Sequence, residues 1–264
     1  MGRIGDRFAE LRERGERALI TFITAGDPDL ETTETLLLVM AESGADLIEV
    51  GIPFSDPIAE GPTIQRASER ALAAGASLRR ILELIGRVRD RIHVPIVPMG
   101  YANPIHAMGS VAFAEAAAAV GVDGIIVPDL PPEEGEPYYK ECRDRGIDPV
   151  LLAAPTTGPE RLKMLVEETC GFLYYVSLQG VTGARLELAK GIEEKVKLAK
   201  SFGDVPICVG FGISKPEHAA LVGGYADGVV VGSAFVNAIE TASSREAAVD
   251  AVARLTKDLK APLR

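Results

Sequence analysis

Three carboxylates lie close together in the first quarter of the chain. Glu49 interrupts an apolar run at 47–50, and Asp56 and Glu60 follow it in a loop that prolines make stiff. An ionised side chain in a buried strand is costly unless it is paired or takes part in chemistry. The spacing therefore indicates acid–base chemistry, with one acid at the end of a strand and two on the loop above it. For Glu49 taken alone, a structural ion pair is an equal alternative.

Glycine-rich turns near the end of the chain indicate a second kind of site. They follow the sixth, seventh and eighth predicted strands and lie at 180–183, 210–214 and 232–233. Glycine lets backbone N–H groups approach an anion closely, and the N-terminus of a helix adds a favourable dipole. Phosphate sites of barrels frequently use the loops after strands seven and eight. The turns therefore predict a phosphate site, with three ordinary tight turns as the alternative.

Aromatic side chains, together with one leucine, are candidates for the wall of a substrate pocket. Rings of this kind can line a site for a flat or aromatic substrate. The alternative is a place in the hydrophobic core, which for Phe22 alone is the better explanation. The candidates are Phe22, Tyr101, Tyr174, Phe211 and Leu152.

The elements that must position these residues alternate along the chain. Short apolar segments are each followed by a helical pattern, and the segments are mostly continuous apolar runs. We therefore expect strands that are parallel and buried on both faces. Eight such strand–helix units favour an α/β fold, a (β/α)8 TIM barrel, formed by one domain over residues 1–264. The strands are predicted at 18–24, 47–50, 94–99, 124–127, 149–153, 172–176, 206–209 and 228–231.

An open, doubly wound sheet is the alternative fold. Such a sheet usually has a glycine-rich first turn, and the turn at 26–28 does not match G-x-G-x-x-G. The barrel is therefore favoured. The helices are predicted at 6–14, 31–43, 63–74, 78–91, 109–120, 132–145, 159–168, 191–202, 215–222, 234–240 and 245–260.

Composition excludes several classes of function. The 264 residues carry a net charge of −10 without a basic cluster, so we do not expect nucleic-acid binding. The cysteines Cys142, Cys170 and Cys208 have no CxxC spacing, which argues against disulfides and for a reducing compartment. The sequence has no apolar run of membrane-spanning length and no export signal near its first residues, so we expect a cytoplasmic protein.

Two further absences limit the chemistry. No lysine lies at the end of a predicted strand, which disfavours a Schiff-base aldolase. The histidines His93, His106 and His218 have no partners at metal-ligand spacing, so no metal site is expected. We expect His106 on the loop after the third strand, and all three histidines in surface or structural positions.

Seven segments spread over nearly the whole chain match one known family in family order. They are ITFITAGDP at 20–28, IEVGIPFSDP at 48–57, GPTIQ at 61–65, YANP at 101–104, VPDLP at 127–131, GVTG at 180–183 and GFGIS at 210–214. In these segments the chain resembles the α subunit of tryptophan synthase. The resemblance implies a (β/α)8 barrel with an extra N-terminal helix. It also implies retro-aldol cleavage of indole-3-glycerol phosphate to indole and glyceraldehyde 3-phosphate.

The resemblance also implies roles for individual residues. Glu49 becomes the general acid–base group, for which its apolar surroundings predict a raised pKa, and Glu60 becomes the acid that meets the indole N–H. Thr182 would contact the second carboxylate when the loops at 53–60 and 180–191 close. The aromatic candidates Phe22, Tyr101, Tyr174 and Phe211 would bind the substrate. The phosphate would be held by Gly183, Gly212, Gly232 and Ser233.

A partner is implied in the same way. The family assembles as an α2β2 heterotetramer in which indole passes to the β subunit, and Asp56 and Asp129 would face that subunit. Pyridoxal phosphate belongs to the β subunit, and no cofactor is expected in this chain.

One departure from the family pattern keeps alternatives open. The family carries Asp where this chain has Glu60, which places the carboxylate one methylene further out. A misplacement of ~1 Å can cost about a hundredfold in rate. The alternatives are a weakened barrel that chiefly binds and activates the β subunit, and a stand-alone lyase. Another phosphate-binding barrel, such as an isomerase or decarboxylase, would be expected to place a lysine or catalytic histidine at a strand end.

Overall fold

The computed structural model describes residues 2–176, 185–210 and 212–264, with residues 185–190 described by their backbone alone. Within these ranges the strands are β1 (Ala18–Thr24), β2 (Leu47–Gly51), β3 (Ile96–Met99), β4 (Gly124–Ile125), β5 (Asp148–Pro149), β6 (Leu152–Ala153), β7 (Leu173–Val176), β8 (Ile207–Gly210) and β9 (Gly228–Val231).

Helices flank the strands, with the first helix before β1 and the others on the outside of the barrel. They are α1 (Arg3–Arg14), α2 (Leu30–Ser43), α3 (Pro62–Ala73), α4 (Leu78–Val88), α5 (Ala102–Met108), α6 (Ser110–Ala119), α7 (Pro132–Asp144), α8 (Pro159–Glu168), α9 (Arg185–Lys200), α10 (Pro216–Gly223), α11 (Ser233–Glu240) and α12 (Arg245–Lys260). Short 3-10 turns at Arg89–Arg91 and Ala261–Leu263 complete the described elements. No helix within the described ranges is long and apolar enough to cross a bilayer.

The strands form a closed parallel barrel. Seven of them pair in the order β3-β2-β1-β9-β8-β7-β6, and β4 pairs with β5. A parallel bridge between Met99 and Ile126 joins β3 to the β4 segment. The fifth predicted strand is split into β5 and β6, whose intervening Val150 donates its N–H to the Ile125 carbonyl at 2.9 Å. The expected (β/α)8 barrel is confirmed, with eight barrel strands in nine segments.

The predicted helices missed one element. The segment after β3, expected as a loop, forms α5, so the loop position expected for His106 is wrong. The YANP sequence resembles a turn, but Pro104 is the third residue of α5, where its missing N–H has no partner to lose. The helix expected from 191 begins at Arg185 in the structure.

Alternating strand residues fill the interior of the barrel. This inner cluster includes Ile20, Leu47, Val97, Ile126, Val150, Phe172, Cys208 and Val230. The N-terminal helix α1 adds Ile4, Phe8 and Leu11 to the same cluster, so it closes the amino end of the barrel. A larger cluster lies between the strands and the outer helices. We therefore expect the active site at the opposite, carboxyl end, where barrels of this type place their catalytic residues.

Aspartates at the amino ends of strands fix the strand positions. The side chains of Asp46, Asp123 and Asp227 accept backbone N–H groups of the neighbouring strand, with Leu19 as donor to Asp46 at 2.7 Å. Lys260, 4% exposed, pairs with Asp46 at 2.9 Å. Buried carboxylates of this kind need such partners. They hold the amino rim rigid beneath the site.

Candidate active site

Glu49 lies in β2, directly beside Phe22 of β1 in the parallel register, and points into the barrel. The residue is 1% exposed, and its Oε1 has no hydrogen-bond partner within the described part of the chain. Burial raises the pKa of Glu49 to about 8, with a smaller contribution from the negative charge of Glu60. The structural ion pair considered for Glu49 is not seen among the described residues. A carboxyl group with this pKa can both donate and accept a proton near neutral pH.

Glu60 lies on the loop between β2 and α3 and is half-buried. Burial raises its pKa to about 7. Two hydrogen bonds hold the backbone on either side of its side chain. The Ala59 N–H donates to the Tyr101 hydroxyl at 2.9 Å, and the Gln65 side-chain amide donates to the Glu60 carbonyl at 3.0 Å. The Tyr101 ring also stacks on Phe54, with centroids 5.2 Å apart.

A small cavity separates the loop from the strand ends. Its volume is about 10 Å³, which is roughly the space for one water molecule. A ligand larger than one water molecule would fit there only if the loop or its side chains moved outward. The lining comes from β1, β2, β3, the loop and α3, and consists of Phe22, Thr24, Gly51, Ile52, Pro57, Glu60, Ile64, Ser68, Met99 and Tyr101.

Phe22 and Tyr174, two of the predicted pocket residues, each pack against a glycine whose missing side chain leaves space for the ring. Phe22 is 6% exposed, and a Cβ added at Gly51 would lie 2.6 Å from its Cζ atom. Tyr174 is 8% exposed and packs in the inner cluster, where a Cβ at Gly210 would overlap its hydroxyl. Burial raises the pKa of Tyr174, and the charges of the two nearby glutamates raise it further. Tyr174 therefore stays protonated beside Glu49.

Two described residues of the predicted phosphate site, Gly232 and Ser233, lie at the start of α11. Ser233 is the first residue of that helix and is exposed, and Gly232 is its N-cap without a side-chain cap. Gly232 lies against Phe22, since an added Cβ would be 3.3 Å from the ring. Gly212 has a φ of 72°, the left-handed region that favours glycine. The uncapped N-terminus offers N–H donors to an anion.

Several predicted residues lie outside the described ranges. They are Thr182, Gly183 and Phe211. Their roles stay predictions.

Both acids predicted to face a partner are exposed at the carboxyl rim. The Ser55 hydroxyl donates to Asp56 at 2.6 Å, and Asp129 accepts the Ala102 N–H at 2.9 Å. Asp129 therefore also ties the loop after β4 to the start of α5. Ile58, 83% exposed, lies on the same loop as Asp56. A second cavity, of about 230 Å³, opens beside Asp129 and is lined mainly by leucines and prolines of 127–132, 151–152 and 165.

Sequence reasoning missed some of the residues that complete the cavity. Ser68 and Ile64 enter it from α3, and Met99 enters from the end of β3. Thr24 is 2% exposed, and its hydroxyl is unpartnered among the described residues. The signal for α3 was the helical spacing of buried Ile64, Ala67 and Ser68, which marks an inward face without saying what that face meets. The described residues contain no group of three or more acids, histidines or cysteines that could hold a metal ion.

Fold and site together define a (β/α)8 barrel protein with a buried acid, a second acid on the loop above it and an uncapped helix N-terminus at the same rim. The family model for the tryptophan synthase alpha chain matches residues 8–264. The tryptophan synthase alpha chain of Geobacter sp. (strain M21) is 53% identical over 240 residues, covering 91% of this chain and 90% of that relative. The chain belongs to the tryptophan synthase alpha chain family.

Solved structures agree with this assignment. The crystal structure of tryptophan synthase subunit alpha from Legionella pneumophila strain Paris has a TM-score of 0.90 at 38% identity, covering 100% of this chain and 98% of that one. A chain of ligand-free tryptophan synthase from M. tuberculosis, a mutant form, has a TM-score of 0.90 at 35% identity, covering 100% and 99%.

Proposed function

We propose that this chain is a carbon–carbon lyase of tryptophan biosynthesis that cleaves indole-3-glycerol phosphate to indole and glyceraldehyde 3-phosphate. One observation carries the chemistry. Glu49 is 1% exposed without an ion-pair partner among the described residues, and its pKa is raised to about 8, with Glu60 close enough to contribute. This is the state required of a group that both gives and takes a proton.

The bond to be broken joins indole C3 to the glycerol chain. A proton from Glu49 is added to C3, while Glu60 accepts a hydrogen bond from the ring N–H and stabilises the positive charge on the ring. The ionised Glu49 then takes the proton of the neighbouring glycerol hydroxyl. As the carbonyl forms, the C–C bond breaks and its electrons return to the ring. Indole and the aldehyde leave, and Glu49 is protonated again.

The remaining predicted residues bind the substrate. The phosphate is held by Gly183, Gly212, Gly232 and Ser233, a role supported by the uncapped start of α11. The indole ring lies among Phe22, Tyr101, Tyr174 and Phe211, with Thr182 contacting Glu60 when the site closes. The loop at 53–60 and the segment 180–191, whose residues from Arg185 onward begin α9, close over the bound substrate.

The proposal includes a partner subunit. The chain acts in the cytoplasm as one domain, residues 1–264, and assembles with a β subunit as α2β2 through the rim that carries Asp56 and Asp129. The exposed Ile58 supports a docking surface there, since large apolar side chains are usually covered at interfaces. Pyridoxal phosphate belongs to the partner, and this chain needs no cofactor of its own.

The test measures indole release from indole-3-glycerol phosphate, with and without a β subunit. Wild type should release indole, and Glu49→Gln should be slower by at least about a hundredfold, the scale of a lost general acid–base group. Glu115→Gln, which changes an exposed glutamate of α6, is the matched control. Equal rates for wild type and Glu49→Gln would sink the proposal.

The same assay separates the alternatives. Full activity without the β subunit would identify a stand-alone lyase. A chain that stays inactive with its partner but stimulates that partner would be a weakened, activating barrel.

A further inference from the structure

A cluster of ion pairs joins α3 to α11 beside the site. The Arg70 guanidinium binds both carboxylate oxygens of Asp27 at 2.8 Å and reaches Glu240 Oε1 at 2.8 Å. Arg66, one turn earlier, binds both oxygens of Glu240 at 3.0 and 2.9 Å. Two arginines therefore clamp one carboxylate, and their hydrogen bonds and charge lower the pKa of Glu240 to about 2. Glu240 therefore stays ionised throughout the physiological pH range.

Arg70 also serves a buried group. Asp27 is 2% exposed and lies in the turn after β1. A buried carboxylate is strongly destabilising without a partner, and a bidentate guanidinium is the geometry that satisfies both of its oxygens. One side chain of α3 thus connects the turn after β1 with the last residue of α11.

The first helix of this pair positions Glu60. The Gly61 carbonyl accepts the N–H groups of Ile64 and Gln65, each at 3.0 Å, so Glu60 directly precedes the first turn of α3. Ile64 and Ser68 of the same helix line the cavity that Glu60 enters. A shift of α3 would therefore carry the Glu60 carboxylate and part of the cavity wall with it.

The second helix positions the anion-binding end. α11 begins at Ser233 and ends at Glu240, so an anchor on Glu240 holds the helix that presents Gly232 and Ser233. Between the two helices, Val236 packs with Ile64, Ala67 and Phe22 in a small cluster of its own. The two helices and β1 therefore form one packed unit with the ion pairs at its outer edge.

We propose that Arg70 and Glu240 are positioning residues whose ion pair fixes the separation between Glu60 and the phosphate-binding start of α11. A substrate held by its phosphate at one end and its ring at the other reacts only when both contacts are met together. Errors of ~1 Å in such placement can cost about a hundredfold in rate. The inference rests on the proposed function, because it assigns the two ends of the site to ring and phosphate.

The experiment compares wild type, Arg70→Lys and Arg245→Lys. Lysine keeps a positive charge near Asp27 but cannot bind two carboxylates with a planar fork. Arg245, which pairs with Glu31 at 2.7 Å between α12 and α2, provides the same change in an interhelical pair outside the unit. The measurements are kcat and KM for indole release, the affinity for inorganic phosphate by calorimetry, and the melting temperature.

The two explanations of the cluster predict different results. Positioning predicts that folded Arg70→Lys loses about tenfold or more in kcat/KM, with a raised KM and weaker phosphate binding, while Arg245→Lys matches wild type. A purely structural role predicts a lower melting temperature with unchanged kcat, KM and phosphate affinity, and that result would overturn the inference. Should Arg70→Lys fail to fold, Glu240→Gln, which leaves Arg70 on Asp27, takes its place with the same expected losses.

If the proposed lyase function itself is wrong, the experiment gives a different pattern of results. Wild type would then release no indole under any condition, and the phosphate affinities would decide the inference alone. Equal affinities in wild type and Arg70→Lys would overturn it, and weaker binding by the variant would support it.

Discussion

The ring of Phe22 and the carboxyl group of Glu49 occupy paired positions on β1 and β2, so both enter the same end of the barrel interior. The apolar neighbour helps to keep water away from the acid, and burial is the largest cause of the raised pKa of Glu49. The register of β1 and β2 therefore places the Phe22 ring in the pocket wall and also helps to raise the pKa of Glu49.

Stability should depend on pH through Glu49. Its pKa is about 8 in the folded chain and near 4.5 when unfolded, so between these values the folded state retains a proton that the unfolded state releases. Rising pH in this window therefore destabilises the fold, by at most about 4 to 5 kcal/mol at about 1.4 kcal/mol per unit. Urea unfolding at pH 5 and pH 8.5 measures the free energy of unfolding, which should fall less between these pH values in Glu49→Gln than in wild type. A decline as steep as that of wild type would exclude Glu49 as its source.

Shortening the second acid should slow the reaction. Hydrogen bonds fix the backbone at Ala59 and at the Glu60 carbonyl. The backbone of Glu60→Asp therefore cannot move inward to compensate for the shorter side chain, and the carboxylate reaches less far into the cavity. We expect kcat to fall by up to about a hundredfold, with the melting temperature nearly unchanged. Steady-state rates of indole release measure this directly. A rate equal to that of wild type would mean that the loop adjusts to the shorter family residue.

Removing one hydroxyl should loosen the loop. Tyr101→Phe keeps the ring that stacks on Phe54 but removes the acceptor of the Ala59 N–H. A hydrogen bond of this kind contributes about 1 kcal/mol, so we expect roughly a fivefold loss in kcat/KM. Hydrogen exchange at 53–60 should become faster. Tyr225→Phe, at a half-buried tyrosine after α10, is the matched control and should change neither quantity.

A single methyl group should displace the Phe22 ring. Gly51→Ala would place a Cβ 2.6 Å from the Cζ of Phe22 and 3.2 Å from the Ile23 carbonyl oxygen. Overpacking of this kind typically costs about 1–3 kcal/mol, and the displaced ring should also lower activity. Gly191→Ala, within α9 and with open space around it, should instead stabilise the chain slightly. Chemical denaturation of both variants tests the contrast.

Local pattern was enough to predict the parts of the fold that depend on neighbouring residues. β1, β9, α8 and α12 match the expected residues because apolar runs, caps and prolines mark their ends. α5 was missed, since its proline and asparagine favour a turn as readily as a first helical turn. The acid in β2 was visible because a charge inside an apolar run is conspicuous.

Features that depend on distant residues were not predictable. Arg70 and Glu240 are 170 positions apart, and nothing in either segment marks them as partners. The need for glycine at position 51 becomes apparent when the Phe22 ring is seen against it. The sequence did carry a signal for the aspartates at the amino rim, since Asp46 and Asp123 each follow a glycine by two residues, after a predicted helix and before a predicted strand.

Within the described ranges, the barrel is filled at its amino end and opens at its carboxyl end. α1 fills the amino end with Ile4, Phe8 and Leu11, so whatever enters or leaves the interior crosses the carboxyl rim. Reactant arrival and product departure share that opening with any protein docked beside Asp56 and Asp129. A partner bound there would therefore contact each molecule that leaves the barrel before bulk solvent does.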